Sequence, residues 1–242
     1  MNKTDISVAM VLAAGFGKRM RPITITVPKP LVPVAGRTML DRTLDALVAS
    51  GVTKAVVNMH YLGNQIASHC ATRTDINCVI SDERDAILET GGGTVKALPL
   101  LGDHPFVLVN ADTFWIDFDE PTLNRMIEIF DPAQMDILLL LCRKSDATGH
   151  SGGSDFVVDE DHRLSRAQKE DPKGVIYAGA AIYAPSIFAG AEPQAHSLNV
   201  YFDKAIAAGR LYGHTLENGH WFTVGTPEGL AAVEEKLQAL NQ

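Results

Sequence analysis

The sequence predicts an α/β fold, a three-layer α/β/α sandwich built around a mixed sheet that is mostly parallel. Two observations lead to this prediction. Through residue 142, short apolar runs alternate with segments of helical periodicity, which is typical of parallel strands joined by crossover helices. The run at residues 135–142 is dominated by apolar side chains, which predicts a strand buried on both faces and central in its sheet.

Each element of this first part has a local signal. The first predicted helix carries Leu40, Leu44 and Leu47 at helical spacing and is followed by Gly51, a common helix stop. Pro121 is tolerated because it falls in the first turn of its helix. Apolar runs predict strands at residues 6–12, 54–59, 78–81, 106–109 and 135–142. Apolar periodicity predicts helices at residues 39–50, 64–70, 92–101 and 121–130.

The pattern changes after residue 142. A loop rich in glycine and serine at residues 150–154 comes before two predicted strands, at 156–158 and 175–183. Polar turns separate these strands, which favours a mixed or antiparallel portion of the sheet. Two further helices are predicted at residues 200–208 and 226–240, and the second closes the chain.

One domain is expected over residues 1–242, with a first half at 1–142 and a second at 143–242, because no repeat or linker divides the chain. The 242 residues are 46% hydrophobic, which suits one large core. The formal net charge of −8 argues against a general nucleic-acid binder, which would be basic. With no long exposed apolar helix or heptad pattern in view, we expect a monomer.

Membrane and secreted classes are disfavoured. The chain opens without a basic-then-apolar leader, and the apolar stretch at residues 137–142 is far too short to span a bilayer. Cys70, Cys78 and Cys142 are far apart and form no CxxC pair, so reduced, buried thiols are expected. These observations predict a cytoplasmic protein.

The segment after the first strand combines small residues with positive charge. Small side chains let a ligand approach the backbone, whose N–H groups can then point at phosphate oxygens. Such a turn lies where open α/β sheets usually bind their ligands. Clustered cations in an acidic chain suit a triphosphate. The residues that make up this candidate phosphate cradle are Leu12, Ala13, Ala14, Gly15, Gly17, Lys18, Arg19, Arg21 and Lys29.

Two common phosphate motifs do not fit this turn. A P-loop needs Ser or Thr after its Gly-Lys pair, and here Arg19 follows Lys18. A dinucleotide fingerprint needs a third Gly or Ala where Met20 stands, and an acidic residue where Asn58 ends the second strand. The glycines alone fit a strand-to-helix turn with solvated charges equally well. That alternative does not explain the stiff Pro28-Lys29-Pro30 turn that follows.

A longer pattern is more specific. Gly15-x-Gly17-x-Arg19-Met20-x-Pro22-x-Thr24, followed by Pro28-Lys29-Pro30, resembles the signature of the sugar-1-phosphate nucleotidyltransferases. The resemblance implies a Rossmann-like fold of the nucleotide-diphospho-sugar transferase type, with a nucleotide-binding first half and a sugar-binding second half. It also implies that Arg19 binds the leaving pyrophosphate portion and that Lys29 lies near the α-phosphate, both as catalytic residues.

A second cluster extends the resemblance. Glu89, Thr90 and Gly91, followed by two more glycines, precede a helix, and in the resembled family this segment contacts the nucleobase. A helix-entry turn would explain one glycine but not three. Asp112 ends the fourth strand after Asn110-Ala111, where a carboxylate suits Mg²⁺ together with water and substrate phosphates. A strand-end Asp that caps a turn is the alternative.

The resemblance covers nearly the whole chain. Residues 88–101, 106–112 and 221–228 resemble the members that act on N-acetylmuramate 1-phosphate, which implies UTP and that sugar phosphate as substrates, and peptidoglycan recycling as the process. Hexose or heptose 1-phosphates with GTP, CTP or dTTP stay open. The implied sugar-site candidates, for which strand-packing or turn roles stay equally open, are Asn110, Asp155, Tyr177 and Gly179.

One position departs from the family pattern. The resembled family places a second metal-binding Asp in the segment where this chain has Thr223, and a hydroxyl is a poorer Mg²⁺ ligand than a carboxylate. Three outcomes stay open: Asp112 with phosphates and water holds the metal, another acid takes part, or catalysis is weakened. The last would make the chain a sugar-nucleotide-binding protein. The histidines show no zinc spacing, and Trp115 and Trp221 are expected to pack rather than stack on a base.

Overall fold

A computed structural model describes residues 6–168 and 171–240 of the chain. Strands and helices alternate along its first half, as the apolar pattern predicts. The described strands, in chain order, are β1 (Val8–Leu12), β2 (Pro33–Val34), β3 (Arg37–Thr38), β4 (Lys54–Met59), β5 (Asn77–Asp82), β6 (Phe106–Asn110), β7 (Thr113–Asp117), β8 (Ile137–Cys142), β9 (Ala147–Thr148), β10 (Phe156–Val158), β11 (Leu164–Arg166), β12 (Ile176–Tyr183), β13 (Leu211–Thr215) and β14 (Gly219–Thr223).

The α-helices begin and end at local signals. The helix that starts after Thr38 is capped by that side chain, which accepts a hydrogen bond from the Asp41 N–H. The described α-helices are α1 (Met39–Ala49), α2 (Gly63–Cys70), α3 (Glu89–Leu101), α4 (Thr122–Ile129), α5 (Asn199–Ala207) and α6 (Pro227–Leu240).

Seven strands form the main sheet in the order β13-β8-β12-β6-β1-β4-β5. Every neighbouring pair is parallel except the two made by β12, which runs antiparallel to both β6 and β8. The chain first winds from β1 outward to β4 and β5, and then returns to the other side of β1 with β6. The strand order therefore reverses between β1 and β6, which is where open α/β sheets bind ligands.

Helices cover both faces of the main sheet, giving three layers. On one face Leu44 of α1, Ile66 of α2 and Met126 of α4 are fully buried in one apolar cluster. On the other face Val95 of α3 and Phe202 of α5 pack in a second cluster. Burying apolar side chains on both faces at roughly 25 cal/mol per Å² is the main source of stability for this arrangement.

A smaller sheet stands beside the first. Strands β7, β14 and β9 form it in that order, and α6 packs against β14 and β9. A third apolar cluster joins this sheet to the loop after β1, because Met20 packs there with Phe114, Phe222 and Val233. The loop after β1 is therefore fixed at one end by the main sheet and at the other by the smaller sheet.

The predicted fold class is confirmed, and the antiparallel portion predicted after residue 142 is β12 with its neighbours. Two expectations are wrong in detail, and several strands were missed. The strand at Ile137–Cys142 is fully buried but lies next to the edge strand β13 rather than at the centre. Helix α3 begins at Glu89 rather than at residue 92. The described strands that were not predicted are β2, β3, β7, β9, β11, β13 and β14.

The predicted thiols and tryptophans have packing roles. Cys70 and Cys142 are buried, Cys78 is half-buried, and none of these three forms a disulfide. Burial raises the pKa of the Cys142 thiol to about 12. Trp221 is buried and its indole N–H donates to the Ala178 carbonyl at 2.8 Å. Burial is confirmed for Cys70 and Cys142 and is only partial for Cys78.

Candidate functional site

A cavity of about 430 Å³ opens at the carboxyl ends of β1 and β6, where the strand order reverses. We call it the β1–β6 cavity. Its walls come from the turn after β1, the Pro28–Pro30 turn, the start of α3 and the end of β6. The residues that line it are Leu12, Ala13, Ala14, Gly15, Lys29, Pro30, Glu83, Ile87, Glu89, Thr90, Asn110, Ala111, Asp112 and Ser197.

The cavity brings together residues from both predicted clusters, although they are far apart in sequence. Those predicted from sequence that line it are Leu12, Ala13, Ala14, Gly15, Lys29, Glu89, Thr90, Asn110 and Asp112. Those predicted from sequence that do not line it are Gly17, Lys18, Arg19, Gly91, Asp155, Tyr177 and Gly179. Placement in the wall does not assign a role, and the binding and catalytic roles stay predictions.

The predicted catalytic cation and the predicted metal ligand are in direct contact. The Lys29 ammonium donates to Asp112 Oδ2 at 2.6 Å. Lys29 is only 9% exposed, whereas the Asp112 side chain is 41% exposed. An ammonium has three donors, so this ion pair leaves two for an incoming phosphate. A nearly buried lysine that is stabilised by one carboxylate is well placed to bind an anion in this cavity.

The turn after β1 needs a glycine at position 17. Gly17 has φ of +61°, and a Cβ there would come within 3.1 Å of the Lys29 Cβ and 3.0 Å of a Thr24 methyl. Its carbonyl accepts from the Thr24 hydroxyl at 2.8 Å and from the Met20 N–H at 2.9 Å. Gly17 therefore holds the cationic turn against Lys29.

Three cations of the turn, Lys18, Arg19 and Arg21, do not line the cavity. Arg19 is exposed, and its guanidinium nitrogens lie 3.5 and 3.6 Å from where a Cβ on Gly225 would stand. Lys18 is exposed as well, with its ammonium 5.1 Å from the centre of the Phe16 ring. The turn thus places Arg19 against the segment that follows β14.

The glycines at the start of α3 are explained by contacts within the protein. The N–H groups of Gly91 and Gly92 donate to the His196 carbonyl at 2.8 and 3.2 Å. A Cβ at Gly92 would collide with the Gln194 carbonyl, and one at Gly93 would stand 2.6 Å from Glu83 Oε1. The close approach inferred from sequence is therefore made by the chain itself, and a base contact stays a prediction.

A buried polar chain behind the cavity was not predicted. The Ala13 N–H donates to Asn58 Oδ1 at 2.6 Å, and the Asn58 amide donates to Glu83 Oε1 at 2.7 Å. Glu83 is fully buried in spite of lining the cavity, and this desolvation raises the pKa of its carboxyl group. Asn58 was used in the sequence only to exclude a dinucleotide motif, and Glu83 carries no motif signal. It stands in the charged run Asp82-Glu83-Arg84-Asp85, where nothing in the sequence marks one acid as buried.

The sugar-site candidates make structural contacts of their own. Asp155 accepts from the Tyr177 N–H at 2.8 Å, and Tyr177 packs edge-on against Phe202 with ring centres 5.4 Å apart. Gly179 has φ of +78°, and the space of a Cβ there is filled by a Thr113 hydroxyl. Sugar binding by Asp155, Tyr177 or Gly179 stays a prediction, since packing and turn contacts already account for them.

The donor set around Asp112 fits a magnesium ion of the kind that relies on substrate oxygens. Among residues 6–168 and 171–240, no group of three or more His, Cys, Asp or Glu side chains could hold a metal. Mg²⁺ takes one or two carboxylates and completes its shell with water and phosphates, so a half-exposed Asp112 suits it. Thr223 pairs with Thr113, and the Val224 N–H donates to the Asp112 carbonyl at 3.3 Å, so position 223 is a near neighbour.

Comparison with known proteins gives one family. The family model described as "Nucleotidyl transferase" matches residues 8–239. The N-acetylmuramate alpha-1-phosphate uridylyltransferase of Caulobacter vibrioides is 37% identical over 234 residues, which cover 95% of this chain and 96% of that protein. The protein of the same name from Neisseria meningitidis serogroup B is 35% identical, with 90% and 93% covered.

Proteins named for other nucleotides and sugars are also similar to this chain. A mannose-1-phosphate guanyltransferase of Hypocrea jecorina is 31% identical, with 90% of this chain and 61% of that protein covered. The solved apo structure of a UDP-glucose pyrophosphorylase superposes with a TM-score of 0.80 at 15% identity, covering 98% of this chain and 100% of that one, and so shares the fold. Within the described ranges, no helix is long and apolar enough to cross a membrane.

Proposed function

Because this chain belongs to the nucleotidyl transferase family and is a sugar-1-phosphate nucleotidyltransferase, we propose that it transfers the uridylyl group of UTP to N-acetylmuramate 1-phosphate. Pyrophosphate is the second product. The choice of this substrate pair is supported by the 37% identity over nearly the full length of the Caulobacter vibrioides protein, whose name states that activity. Peptidoglycan recycling in the cytoplasm is the process that this proposal implies, with a monomer as the working form.

One observation carries the site assignment: Lys29, nearly buried and paired with Asp112, stands in the cavity where the strand order of the sheet reverses. The backbone at Ala13, Ala14 and Gly15 forms the facing wall. Small residues there let phosphate oxygens reach backbone N–H groups. In this proposal the triphosphate lies between that wall and Lys29.

The reaction needs positioning and charge stabilisation more than a base. A phosphate monoester has a second pKa near 6, so the attacking oxygen of the sugar phosphate is already ionised at neutral pH. That oxygen forms a new bond to the α-phosphorus of UTP, and the bond to the pyrophosphate oxygen breaks in line with it. Lys29 stabilises the charge on the α-phosphate, and Arg19 binds the leaving pyrophosphate.

Asp112 would hold a Mg²⁺ ion together with phosphate oxygens and water, and the ion supplies charge neutralisation when it is bound. Release of Asp112 from Lys29 frees that ammonium for the phosphates. The carboxylate is 41% exposed, so it is accessible to a solvated ion. The account needs no second acid, which agrees with threonine at position 223.

Substrate identity is tested by a panel of UTP, GTP, CTP and dTTP against several sugar 1-phosphates, with release of pyrophosphate as the readout. The proposal expects UTP with N-acetylmuramate 1-phosphate to give the highest kcat/KM and expects no turnover without Mg²⁺. A guanylyl or cytidylyl preference would replace the substrate assignment but keep the chemistry. The first of these is the activity named for the Hypocrea jecorina relative.

A second candidate function follows from Thr223. With a hydroxyl where a second carboxylate is expected, a sugar-nucleotide-binding protein without turnover is the alternative. Thermal stabilisation by UTP and pyrophosphate release are therefore measured on the same sample. Stabilisation without release would support the binding protein, and release at a rate that requires Lys29 would exclude it.

A further inference from the structure

A second cavity lies on the same edge of the main sheet as the β1–β6 cavity. It has a volume of about 710 Å³ and stands where β8 ends and β12 begins, so we call it the β8 cavity. Cys142 at the end of β8 pairs with Ile176 at the start of β12. The residues that line it are Arg143, Lys144, Ser151, Gly152, Gly153, Asp171, Pro172, Lys173, Gly174 and Val175.

The lining of the β8 cavity is cationic in an acidic protein. Arg143, Lys144 and Lys173 supply three positive charges and Asp171 one negative, whereas the whole chain has a net charge of −8. The carboxylate of Asp171 accepts a hydrogen bond from the Lys173 N–H at 2.9 Å, so it is engaged by its own turn. Arg143 approaches Asp146 only to 3.8 Å, with 58% of its side chain exposed. Such cations are available for an anionic ligand.

The loop at residues 151–153, which forms the other wall of the β8 cavity, consists of glycines and a serine. His150 contacts the Gly153 carbonyl at 3.1 Å, and a Cβ at Gly152 would stand 2.9 Å from the His150 ring. Ser154 lies against Gly174, and its buried hydroxyl has no hydrogen-bond partner within the described part of the chain. The wall therefore offers backbone groups, and an unpaired hydroxyl lies beside it.

The two cavities are connected by strand β12. Gly179 of β12 lies against Asn110 at the end of β6, in the wall of the β1–β6 cavity. Val175, four residues earlier, lies in the wall of the β8 cavity, so its Cα is at most about 14 Å from that of Gly179. Strand β12 thus links the two cavities, and a sugar that lies along it with its 1-phosphate near Asp112 would bring a distant substituent to the cations.

We infer that Arg143, Lys144 and Lys173 bind a carboxylate on the sugar, so that the β8 cavity selects acidic sugar 1-phosphates. This inference rests on the proposed function, because it takes the phosphate to lie in the β1–β6 cavity. N-acetylmuramate carries a lactyl ether with a carboxylate, and N-acetylglucosamine is the same sugar without it. Charge-assisted hydrogen bonds from the cations distinguish the two.

The test uses this pair of sugar 1-phosphates on the wild-type protein, on Arg143→Ala and on Lys173→Ala. Binding is measured by calorimetry, and turnover by pyrophosphate release with UTP. We expect tighter binding of the acidic sugar by the wild-type protein and a loss of roughly tenfold in that preference for each cation removed. Arg125→Ala, which removes an exposed cation elsewhere, is the matched control and should keep the preference.

Equal binding of the two sugars by the wild-type protein, or an unchanged preference in both variants, would overturn the inference. Failure of the proposed function alone would give another result. The wild-type protein would still prefer the acidic sugar and the variants would lose that preference, but neither sugar would give pyrophosphate with UTP. Both alanine substitutions are at exposed positions, so the fold should be kept, and circular dichroism checks this.

Discussion

The β1–β6 cavity and the β8 cavity share one edge of the main sheet but are built differently. In the first, Lys29 is 9% exposed and paired with Asp112 at 2.6 Å, and the buried Asn58 and Glu83 support the wall. In the second, the cations project from exposed loops, and Arg143 has only a 3.8 Å contact with a carboxylate.

This difference separates what any nucleotidyl transfer needs from what one substrate needs. Holding phosphates in line requires groups fixed by a rigid sheet and by mutual hydrogen bonds. Selecting one sugar requires only a favourable charge at the right distance, which exposed loop side chains can supply. Changes in the β1–β6 cavity should therefore affect the rate or the stability, and changes in the β8 cavity should affect the choice of sugar.

The largest effect is expected from Lys29→Ala. Removing a preorganised cation from the reacting phosphate should lower kcat/KM about 10³-fold, as loss of one such charge-stabilising group typically does. The measurement is pyrophosphate release at saturating Mg²⁺. Lys236→Ala, on α6 and outside the residues that line the cavity, is the matched control and should retain full activity. Full turnover by Lys29→Ala would remove the distinction between the two cavities.

Asn58→Ala should lower the stability of the fold, because Asn58 supports the wall of the β1–β6 cavity. It leaves the buried Ala13 N–H and Glu83 Oε1 without their partner, and an unsatisfied buried group costs about 1–3 kcal/mol. We expect the free energy of unfolding in urea to fall by about 3 kcal/mol. Asn77→Ala, at an exposed position, should change it by less than about 0.5 kcal/mol. Equal effects of the two substitutions would show that the buried hydrogen bonds from Ala13 through Asn58 to Glu83 have no special role in stability.

The Glu83→Gln variant tests the buried Glu83 carboxyl group through the pH dependence of stability. The folded protein raises the pKa of the Glu83 carboxyl group above its unfolded value of about 4.3, so the folded state binds this proton more tightly. The resulting stability is fully present below the unfolded pKa and is lost as pH rises through the folded pKa. Glutamine does not titrate. Wild-type stability relative to Glu83→Gln should therefore fall between about pH 4 and the folded pKa and then level off, as urea unfolding at several pH values would show. A difference that rises with pH would contradict this.

The smallest effect is expected at position 223. Thr223→Asp adds a carboxylate beside Asp112, which should lower the Mg²⁺ concentration that gives half-maximal activity by a few-fold. Thr223→Asn, which is neutral, is the control and should leave that concentration unchanged. If both variants behave like the wild-type protein, the metal lies away from this end of β14.

The site was predictable where its signal is contiguous in sequence. The turn from Gly15 to Lys29 carries its glycines, prolines and cations within a short stretch, so their pattern is visible without the fold. Glu83 was missed because it stands in a charged run, 82–85, that is typical of a solvated loop, and only the tertiary contact with Asn58 shows that it is buried. The Gly91–Gly93 run was interpreted as room for a base, but its close neighbours are other parts of the chain: His196 and Gln194 beside the first two glycines, and Glu83 and Asn58 beside the third.

The fold was predictable where strands are short apolar runs between helices. The alternation up to residue 142 therefore gave five strands of the main sheet, but not their order, and the five are β1, β4, β5, β6 and β8. Strands β7 and β14 were missed because they pair antiparallel across about 100 residues and mix polar with aromatic side chains. Strand β13 is polar at one end, and its pairing with β8 is parallel and non-local. Such pairings follow from tertiary packing, which local periodicity does not reveal.

A crystal structure of the protein with UTP and Mg²⁺ tests the central claim most directly. We expect phosphate oxygens against the backbone N–H groups that follow β1, Lys29 released from Asp112 and bound to a phosphate, and the ion on Asp112. A nucleotide bound elsewhere on the molecule, with the 2.6 Å ion pair of Lys29 and Asp112 intact, would contradict it.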